Sequence, residues 1–270
     1  MIRDVLHDSR FTNRAIFGLF EFLGNGYGVA FSSGEVSRAK RRLALTTLRH
    51  FGVGKTVFAQ GIEQQIEMML QHIETQRHEN RPLYLQAKEL KELRFGFIKE
   101  MKEFFEARKP KDKKEFLTEE PICVADYIWS DLMQYKNEAY PFPEHDTPFI
   151  LTDMFMAGQE TTTMTLSWAI LLMMHHPDIQ DKIYEDLKAE FPDKSQIIPL
   201  SGLNTCDFTC ATIQEVQRVT PVLSSTIDHT ASKFEKNMYL MPFPVGTRAC
   251  PGKNIAKMEL FLVFANILRK

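Results

Sequence analysis

The stretch Phe243-Pro244-Val245-Gly246-Thr247-Arg248-Ala249-Cys250-Pro251-Gly252 places one cysteine in a loop rich in glycine and proline. Apolar residues then recur at helical spacing from Ile255 to Leu268, which predicts a long helix directly after the loop. Cys250 therefore stands just before a helix N-terminus, where backbone N–H groups and the helix dipole are expected to lower the pKa of a thiol.

The number of sulfur ligands limits what Cys250 could bind. A structural zinc site needs about four ligands, whereas a haem iron takes a single axial thiolate, which pushes electron density onto the metal and favours O–O cleavage. Arg248 could neutralise an acidic group on the bound molecule, and Gly246 and Gly252 allow a close approach of the backbone. Taken alone, Cys250 could instead be a small buried hydrophobic residue.

Five residues of this loop stand at the spacing F-x-x-G-x-R-x-C-x-G, namely Phe243, Gly246, Arg248, Cys250 and Gly252. This pattern resembles the haem-binding signature of the cytochrome P450 monooxygenases. The resemblance implies that Cys250 ligates haem iron, that Arg248 holds a haem propionate and that Phe243 shields the sulfur. It also implies that the two glycines belong to the cofactor-binding loop.

A second motif lies in the middle of a long predicted helix, which begins near Asp146-Thr147-Pro148, with Thr147 as its cap, and stops at Pro177. Its centre reads Ala157-Gly158-Gln159-Glu160-Thr161-Thr162, where a glycine costs about 1 kcal/mol relative to alanine. The small residues would leave space for a small ligand, and a threonine hydroxyl bonded to a backbone carbonyl would open the helix locally. Gly158 could instead serve helix packing, beside ordinary surface side chains.

The hexapeptide resembles the oxygen-activation motif of the same family. The resemblance implies that Ala157 and Gly158 contact the cofactor. It also implies that Thr161 forms a hydrogen bond to bound oxygen and that Glu160 helps to deliver protons.

A basic helix is predicted from about Ser37, after a segment from Gly26 to Gly34 that is expected to form loop and strand-like structure. Its arginines could simply form a solvated face. The family resemblance implies instead that Arg41 binds a haem propionate, although Ser37 stands where the family has a tryptophan. Gly54-Lys55-Thr56 matches the end of a phosphate-binding loop, but the required first glycine is missing and the preceding residues indicate helix, so we set a nucleotide site aside.

Glu215 and Arg218 form a third motif between the central helix and the cysteine loop. They are three residues apart on one predicted helix face and can pair. Such a pair contributes only a few tenths of a kcal/mol when exposed. In the family the pair is buried and locks the core behind the haem, but the segment whose arginine completes the lock is missing here.

The composition is that of an ordinary globular protein: 270 residues, a net charge of -2, 44% hydrophobic and 25% charged residues. The near-neutral charge gives no reason to expect nucleic acid as a partner. Four cysteines without a C-x-x-C pair fit a reducing compartment, and Cys206 and Cys210 are expected in the core. His175 and His176 are expected to be surface or packed residues. No uncharged apolar stretch reaches the roughly 20 residues of a transmembrane helix.

The resemblance covers most of the chain, but in pieces. Segments of the family pattern are skipped between about Gln76 and Leu83, after Arg218 and after Asp228. An N-terminal anchor and the last sheet of the family also have no counterpart. We expect these skips to remove most of the β-sheet, to expose apolar surface and to leave polar groups unpaired.

These observations predict a mainly α protein with a cytochrome P450-like helical core, in which residues 1–270 form one partial haem-thiolate monooxygenase domain. The resemblance implies insertion of one atom of molecular oxygen into a small apolar organic substrate, with electrons from a reductase. It also implies an association with the endoplasmic reticulum membrane. Two alternatives remain open: a truncated, inactive remnant that binds haem weakly or not at all, and a helical interaction scaffold without a cofactor.

Overall fold

The computed structural model describes residues 13–14, 26–53, 56–78, 100–110, 120–134, 142–222, 229–230, 243 and 246–270. These ranges are mainly helical. The helices are α1 (Gly28–Phe31), α2 (Gly34–His50), α3 (Thr56–His78), α4 (residues 100–107), α5 (Val124–Gln134), α6 (Thr147–His175), α7 (Pro177–Glu190), α8 (Asp207–Val219) and α9 (Lys253–Arg269). Two-residue strands, β1 (Asn13–Arg14) and β2 (His229–Thr230), pair antiparallel. The predicted mainly α fold is confirmed.

Helix α6 is the long central helix that the sequence predicts, and its 29 residues end just before Pro177. The hydroxyl of Thr161 donates a hydrogen bond to the carbonyl of Ala157 at 2.7 Å. The helix nevertheless remains α-helical from end to end, so the predicted local opening is wrong. A single side-chain bond to the i−4 carbonyl can form alongside the ordinary backbone ladder without breaking it.

The predicted cap of α6 is also wrong. Asp146 occupies the N-cap position, and the hydroxyl of Thr147 is buried without a partner among the residues that the structure describes. The carboxylate of Asp146 accepts a hydrogen bond from the backbone N–H of Gly28 at 2.8 Å and forms a buried ion pair with Lys40. This carboxylate therefore joins α6 to α1 and α2.

The segment around Gly28 was expected to be loop and strand-like, but it forms the short helix α1. Its N-terminal amides are satisfied from α6, since Val29 and Ala30 donate to one carboxylate oxygen of Asp153 at 2.7 and 2.9 Å. Gly28 itself has φ +71°, and an added Cβ would collide with that carboxylate. A helix N-terminus leaves amides unpaired, and here acidic groups distant in sequence pair with them.

Two apolar clusters form the described core, and α6 contributes to both. Near its N-terminus, Ile150 and Leu151 pack with residues of α1, α2 and α5. Nearer its C-terminus, Ala169 and Met173 pack with residues of α3, α7, α8 and α9. Helix α6 therefore connects the part of the fold that holds Arg41 with the part that follows Cys250.

The C-terminal half of α6 leaves an apolar stripe exposed to solvent. Met164, Trp168, Leu171 and Met174 recur at helical spacing, and 73% of Met174 is accessible. Buried polar atoms without a partner among the described residues occur at Ser32, Thr147 and Arg269. Both observations agree with the effect expected of the skipped segments.

Candidate haem-thiolate site

The loop before α9 presents Cys250 at the start of that helix. A 3-10 turn, Gly246–Arg248, leads into the loop, and Gly246 has φ +83°, a conformation that favours glycine. Gly252 is the N-cap of α9, and a Cβ added there would lie 4.0 Å from the sulfur of Cys250. The cysteine is half-buried. The sequence prediction of a cysteine directly before a helix N-terminus is confirmed.

The predicted lowering of the Cys250 pKa is wrong for the chain by itself. Burial raises the pKa of this thiol, although the backbone N–H groups of Gly252 and Lys253 and the charge of Arg41 act in the opposite direction. Removal from water penalises the thiolate more than the helix N-terminus stabilises it. The amides are nevertheless directed at the sulfur, where they would stabilise the anion once it forms.

Arg41 and Arg248 lie beside this cysteine. Arg41 on α2 donates a hydrogen bond to the backbone carbonyl of Ala249, and Arg248 donates to the carbonyl of Ser32 at 2.6 Å. Burial lowers the pKa of both guanidinium groups, and the charge of Arg41 lowers that of Arg248 further. Two cations that repel each other in a partly buried setting would gain from an anionic partner.

These residues fit a haem group. The sulfur of Cys250 is one thiolate donor with amides behind it, and the two arginines match the two carboxylates of the porphyrin. Ser32 adds a buried hydroxyl without a partner among the described residues. Ser37, which replaces the family's tryptophan, is itself buried in α2.

The predicted oxygen motif lies in the middle of α6. Ala157, Gly158 and Glu160 are exposed, and Thr161 is half-buried. A Cβ added at Gly158 would meet no described residue within 4 Å, so close packing within the described part of the chain does not explain this glycine. The hydroxyl bond of Thr161 stays within α6, and among the described residues no hydrogen bond of that side chain reaches the cysteine loop.

Helix α6 and helix α9 are joined instead by two residues that the sequence prediction missed. The hydroxyl of Thr162 donates a hydrogen bond to Oε2 of Glu259 at 3.2 Å. Burial raises the pKa of Glu259, and the bond from Thr162 opposes that shift. One sequence feature could have pointed to Glu259, since its carboxylate stands between the buried residues Met258 and Leu260. An acidic group inside an apolar run requires a hydrogen-bond partner.

The Glu215–Arg218 pair forms as predicted but lies at the surface. Two hydrogen bonds of 2.7 and 2.6 Å join the side chains, which are 57% and 69% exposed. An exposed pair of this kind contributes little to stability. In the described part of the chain it therefore does not act as the buried lock that the resemblance implied.

The remaining sequence expectations concern isolated residues. Cys206 is fully buried and Cys210 donates its thiol hydrogen to the carbonyl of Leu203, which agrees with the expected core positions. His175 and His176 are exposed. Gly54 and Lys55 of the phosphate-loop-like tripeptide, and the residues neighbouring Phe243, lie outside the described ranges. Among the described helices, none is both long and apolar enough to cross a membrane.

Comparison with known proteins identifies the class. The family model described as cytochrome P450 matches residues 1–90, 81–234 and 230–270, which together span the chain. This chain belongs to the cytochrome P450 family. Members of that family bind haem (iron protoporphyrin IX), and its characterised relatives are monooxygenases, so the recognition made from the sequence motifs is confirmed.

Individual relatives are distant in sequence. The chain is 22% identical to cytochrome P450 2C23 of Rattus norvegicus over 96% of this chain and 73% of the relative. It is 24% identical to cytochrome P450 2H2 of Gallus gallus over 100% of this chain and 76% of the relative. A zebra fish cytochrome P450 structure with progesterone gives a TM-score of 0.73 at 19% identity, covering 100% of this chain and 84% of that one. This likeness supports the fold.

The same comparisons support the predicted internal skips. The alignment with the Rattus norvegicus relative spans 363 residues, more than the 270 residues of this chain. Successive family matches meet at residues 81–90 and 230–234, next to two of the predicted skips. The relatives therefore carry internal segments that this chain lacks.

Proposed function

We propose that this chain is a haem-dependent monooxygenase that inserts one atom of molecular oxygen into a small apolar organic substrate. The observation that carries the proposal is the convergence of Cys250, Arg41 and Arg248 at the N-terminus of α9. One soft anionic donor and two cations in a partly buried position match an iron porphyrin with two carboxylates. Family membership supports the same reaction class.

In this proposal Cys250 is the iron ligand and Arg41 and Arg248 hold the propionates. Gly246 and Gly252 shape the loop around the sulfur, and Phe243 shields it from water. When bound, the haem would supply the reductive activation of dioxygen and the transfer of one oxygen atom. The protein must first hold the thiolate, which the N–H groups of Gly252 and Lys253 stabilise by pointing at the sulfur.

In this proposal, residues of α6 leave space for dioxygen and transfer protons to it. Ala157 is small and exposed, and a Cβ added at Gly158 would meet no described residue within 4 Å. Both positions therefore leave the space that a flat cofactor and a diatomic molecule require. The hydroxyl of Thr161 donates to Ala157, which leaves its own lone pairs free to accept a proton or a hydrogen bond. Glu160 is exposed and can exchange protons with solvent. We assign Thr161 to hold a proton near the reaction and Glu160 to replenish it.

The electron donor and the cellular site belong to the proposal as well. A reductase would supply electrons, and the endoplasmic reticulum membrane would be the site of action. The resemblance to microsomal members of the family supports both assignments. An apolar substrate fits a membrane setting, because such molecules concentrate in lipid.

Reconstitution with a reductase and haem tests this function. Incubation under ¹⁸O₂ should place one labelled atom in the product of an apolar test substrate. Thr161→Ala should lower the product formed per reductant consumed, because the hydroxyl that holds the proton near the reaction is removed. Ser167→Ala is the matched control, since its hydroxyl also bonds the i−4 carbonyl of α6, at 2.9 Å. No label in any product, with haem bound through Cys250, would contradict the proposed reaction.

A second candidate is an inactive remnant. The exposed Glu215–Arg218 pair favours it, because the buried arrangement of the family is not reproduced in the described part of the chain. The exposed apolar stripe of α6 favours it too. A remnant would bind haem weakly or not at all and would give no labelled product.

A further inference from the structure

A groove of about 570 Å³ lies between α3, α6 and α9. This volume falls within the range of about 300–1,000 Å³ found for small-molecule sites. The residues assigned above to the iron and the propionates do not line it. Its apolar lining consists of Phe51, Phe58, Ile62, Ile66, Met69 and Val263. Gly158 of the α6 motif also lines it, so the groove adjoins the proposed oxygen site. Glu259, the acidic residue of its lining, has no role in the proposed monooxygenase function.

Two glycines leave the groove open. Gly61 on α3 and Gly158 on α6 both line it, and a Cβ added at either position would meet none of the described residues within 4 Å. Glycine is costly inside a helix, by about 1 kcal/mol relative to alanine. The missing side chains at these two positions leave room for an occupant.

One carboxylate faces this apolar space. Glu259 on α9 lines the groove and receives a hydrogen bond from Thr162, which is 91% buried (9% accessible). Among the described residues, Oε1 of Glu259 accepts no hydrogen bond and no basic side chain pairs with the group. Gln65 and Gln159 also line the groove and offer neutral amide groups beside it. A carboxylate that lacks a cation in a largely apolar cavity is complementary to a positively charged ligand.

We propose that this groove binds a small cationic amphiphile, with an ammonium group on Glu259 and a hydrocarbon portion against the apolar walls. An ammonium group offers three donors, which the free carboxylate oxygen and the neighbouring amide oxygens can accept. The hydrocarbon portion removes apolar surface from water. A fatty alcohol would gain only the second contribution, and a fatty acid would bring a repelling carboxylate.

Calorimetric titration of the full chain, haem-loaded where it takes haem, tests the proposal with octylammonium, octanol and octanoate. Octylammonium should bind at least tenfold more tightly than octanol, and octanoate least of all. Glu259→Gln keeps the size and the acceptor for Thr162 but removes the charge, so it should abolish the preference for the amine. Glu185→Gln, at an exposed carboxylate of α7, is the matched control and should keep it.

A second variant guards against a folding defect in Glu259→Gln. Gly61→Leu fills the groove from a helical position that tolerates leucine, and it leaves Glu259 in place. It should abolish octylammonium binding without lowering the helical circular dichroism signal or the urea midpoint, because leucine favours a helix more than glycine does. Equal affinity for the three probes overturns the proposal. An affinity for octylammonium that is unchanged in both variants overturns it too, because the amine would then bind elsewhere, for example to the haem iron. Failure of all three probes to bind overturns it as well, without bearing on the haem site.

Discussion

Arg41 of α2 donates a hydrogen bond to the backbone carbonyl of Ala249, which lies 208 residues later and next to Cys250. Arg248 makes the complementary connection, from the cysteine loop to the carbonyl of Ser32. Two long-range bonds thus hold the loop against the segment that precedes and includes α2. The candidate iron ligand is therefore positioned by the same arginines that are assigned to the propionates.

Substitution of Arg41 should weaken haem binding. Arg41→Gln removes one charged donor, and hydrogen bonds to charged groups contribute about 1.5–3 kcal/mol, or about 10- to 150-fold in affinity. Spectroscopic titration with haem measures the change. Arg42→Gln, at the exposed neighbouring position on the same helix, is the control and should bind haem as the unmodified chain does. Equal affinities for the two variants would contradict the assignment of Arg41.

Among the described ion pairs, the buried one between Lys40 and Asp146 should be the most sensitive to substitution. Its side chains are only 1% and 3% exposed, and removal of one partner from such a pair costs about 3–5 kcal/mol because the other charge remains buried. Urea unfolding of Lys40→Met should report a loss of that size. Lys109→Met breaks a half-exposed pair with Glu144 and should cost less than about 1 kcal/mol. Similar losses of unfolding free energy in the two variants would show that burial does not determine the cost of breaking an ion pair.

The sequence predicted the parts of the fold whose causes are local. Pro148 and Pro177 bracket α6, and apolar periodicity located α9, so both helices lie where expected. Helix α1 was missed because the acceptors for its amides, Asp146 and Asp153, are more than a hundred residues away. The cap of α6 was missed for the same reason, since Asp146 pairs with Lys40 and Gly28 instead of capping its own helix.

Stability should fall in acid partly because of Asp126. Burial raises the pKa of this carboxyl, but hydrogen bonds from Arg108 and Cys123 outweigh it, so the net pKa lies below its usual value. A carboxyl with a lowered folded-state pKa stabilises the fold above its unfolded pKa of about 3.9 and loses that contribution as pH falls through the folded value. Asp126→Asn should therefore be less stable at pH 7 and should show a shallower decline in unfolding free energy below about pH 4. An unchanged acid slope in that variant would contradict this role.

Cys206 should resist alkylation in the folded chain. Burial raises the pKa of its thiol to about 11, so its thiolate fraction at pH 8 is about a hundredfold below that of a thiol with pKa 9. Iodoacetamide labelling followed by peptide mass spectrometry should find Cys206 unmodified in buffer and modified in urea. Rapid labelling of this residue in the folded chain would show that the thiol is not buried there.

The residues of the candidate site that belong to one continuous motif were predicted from the sequence. The contacts that form only through packing of distant segments were missed. Cys250 and Arg248 stand in one continuous loop, so their relation could be deduced from spacing. Thr162 and Glu259 meet across 97 residues, and Ser32 meets Arg248 across 216, so neither contact has a local signal. The pKa of Cys250 was misjudged because burial is a property of the folded chain and outweighs the helix N-terminus.

A difference spectrum of the reduced, carbon-monoxide-bound protein shows whether Cys250 is a thiolate ligand of haem in this chain. The chain reconstituted with haem should give the Soret band characteristic of thiolate ligation, and Cys250→Ala should lose that band. The exposed neighbouring residue Lys253 offers a control, since Lys253→Ala removes a charge beside the sulfur and should keep the band. A soluble, monodisperse preparation without the band, or with an equal band in Cys250→Ala, would contradict the account.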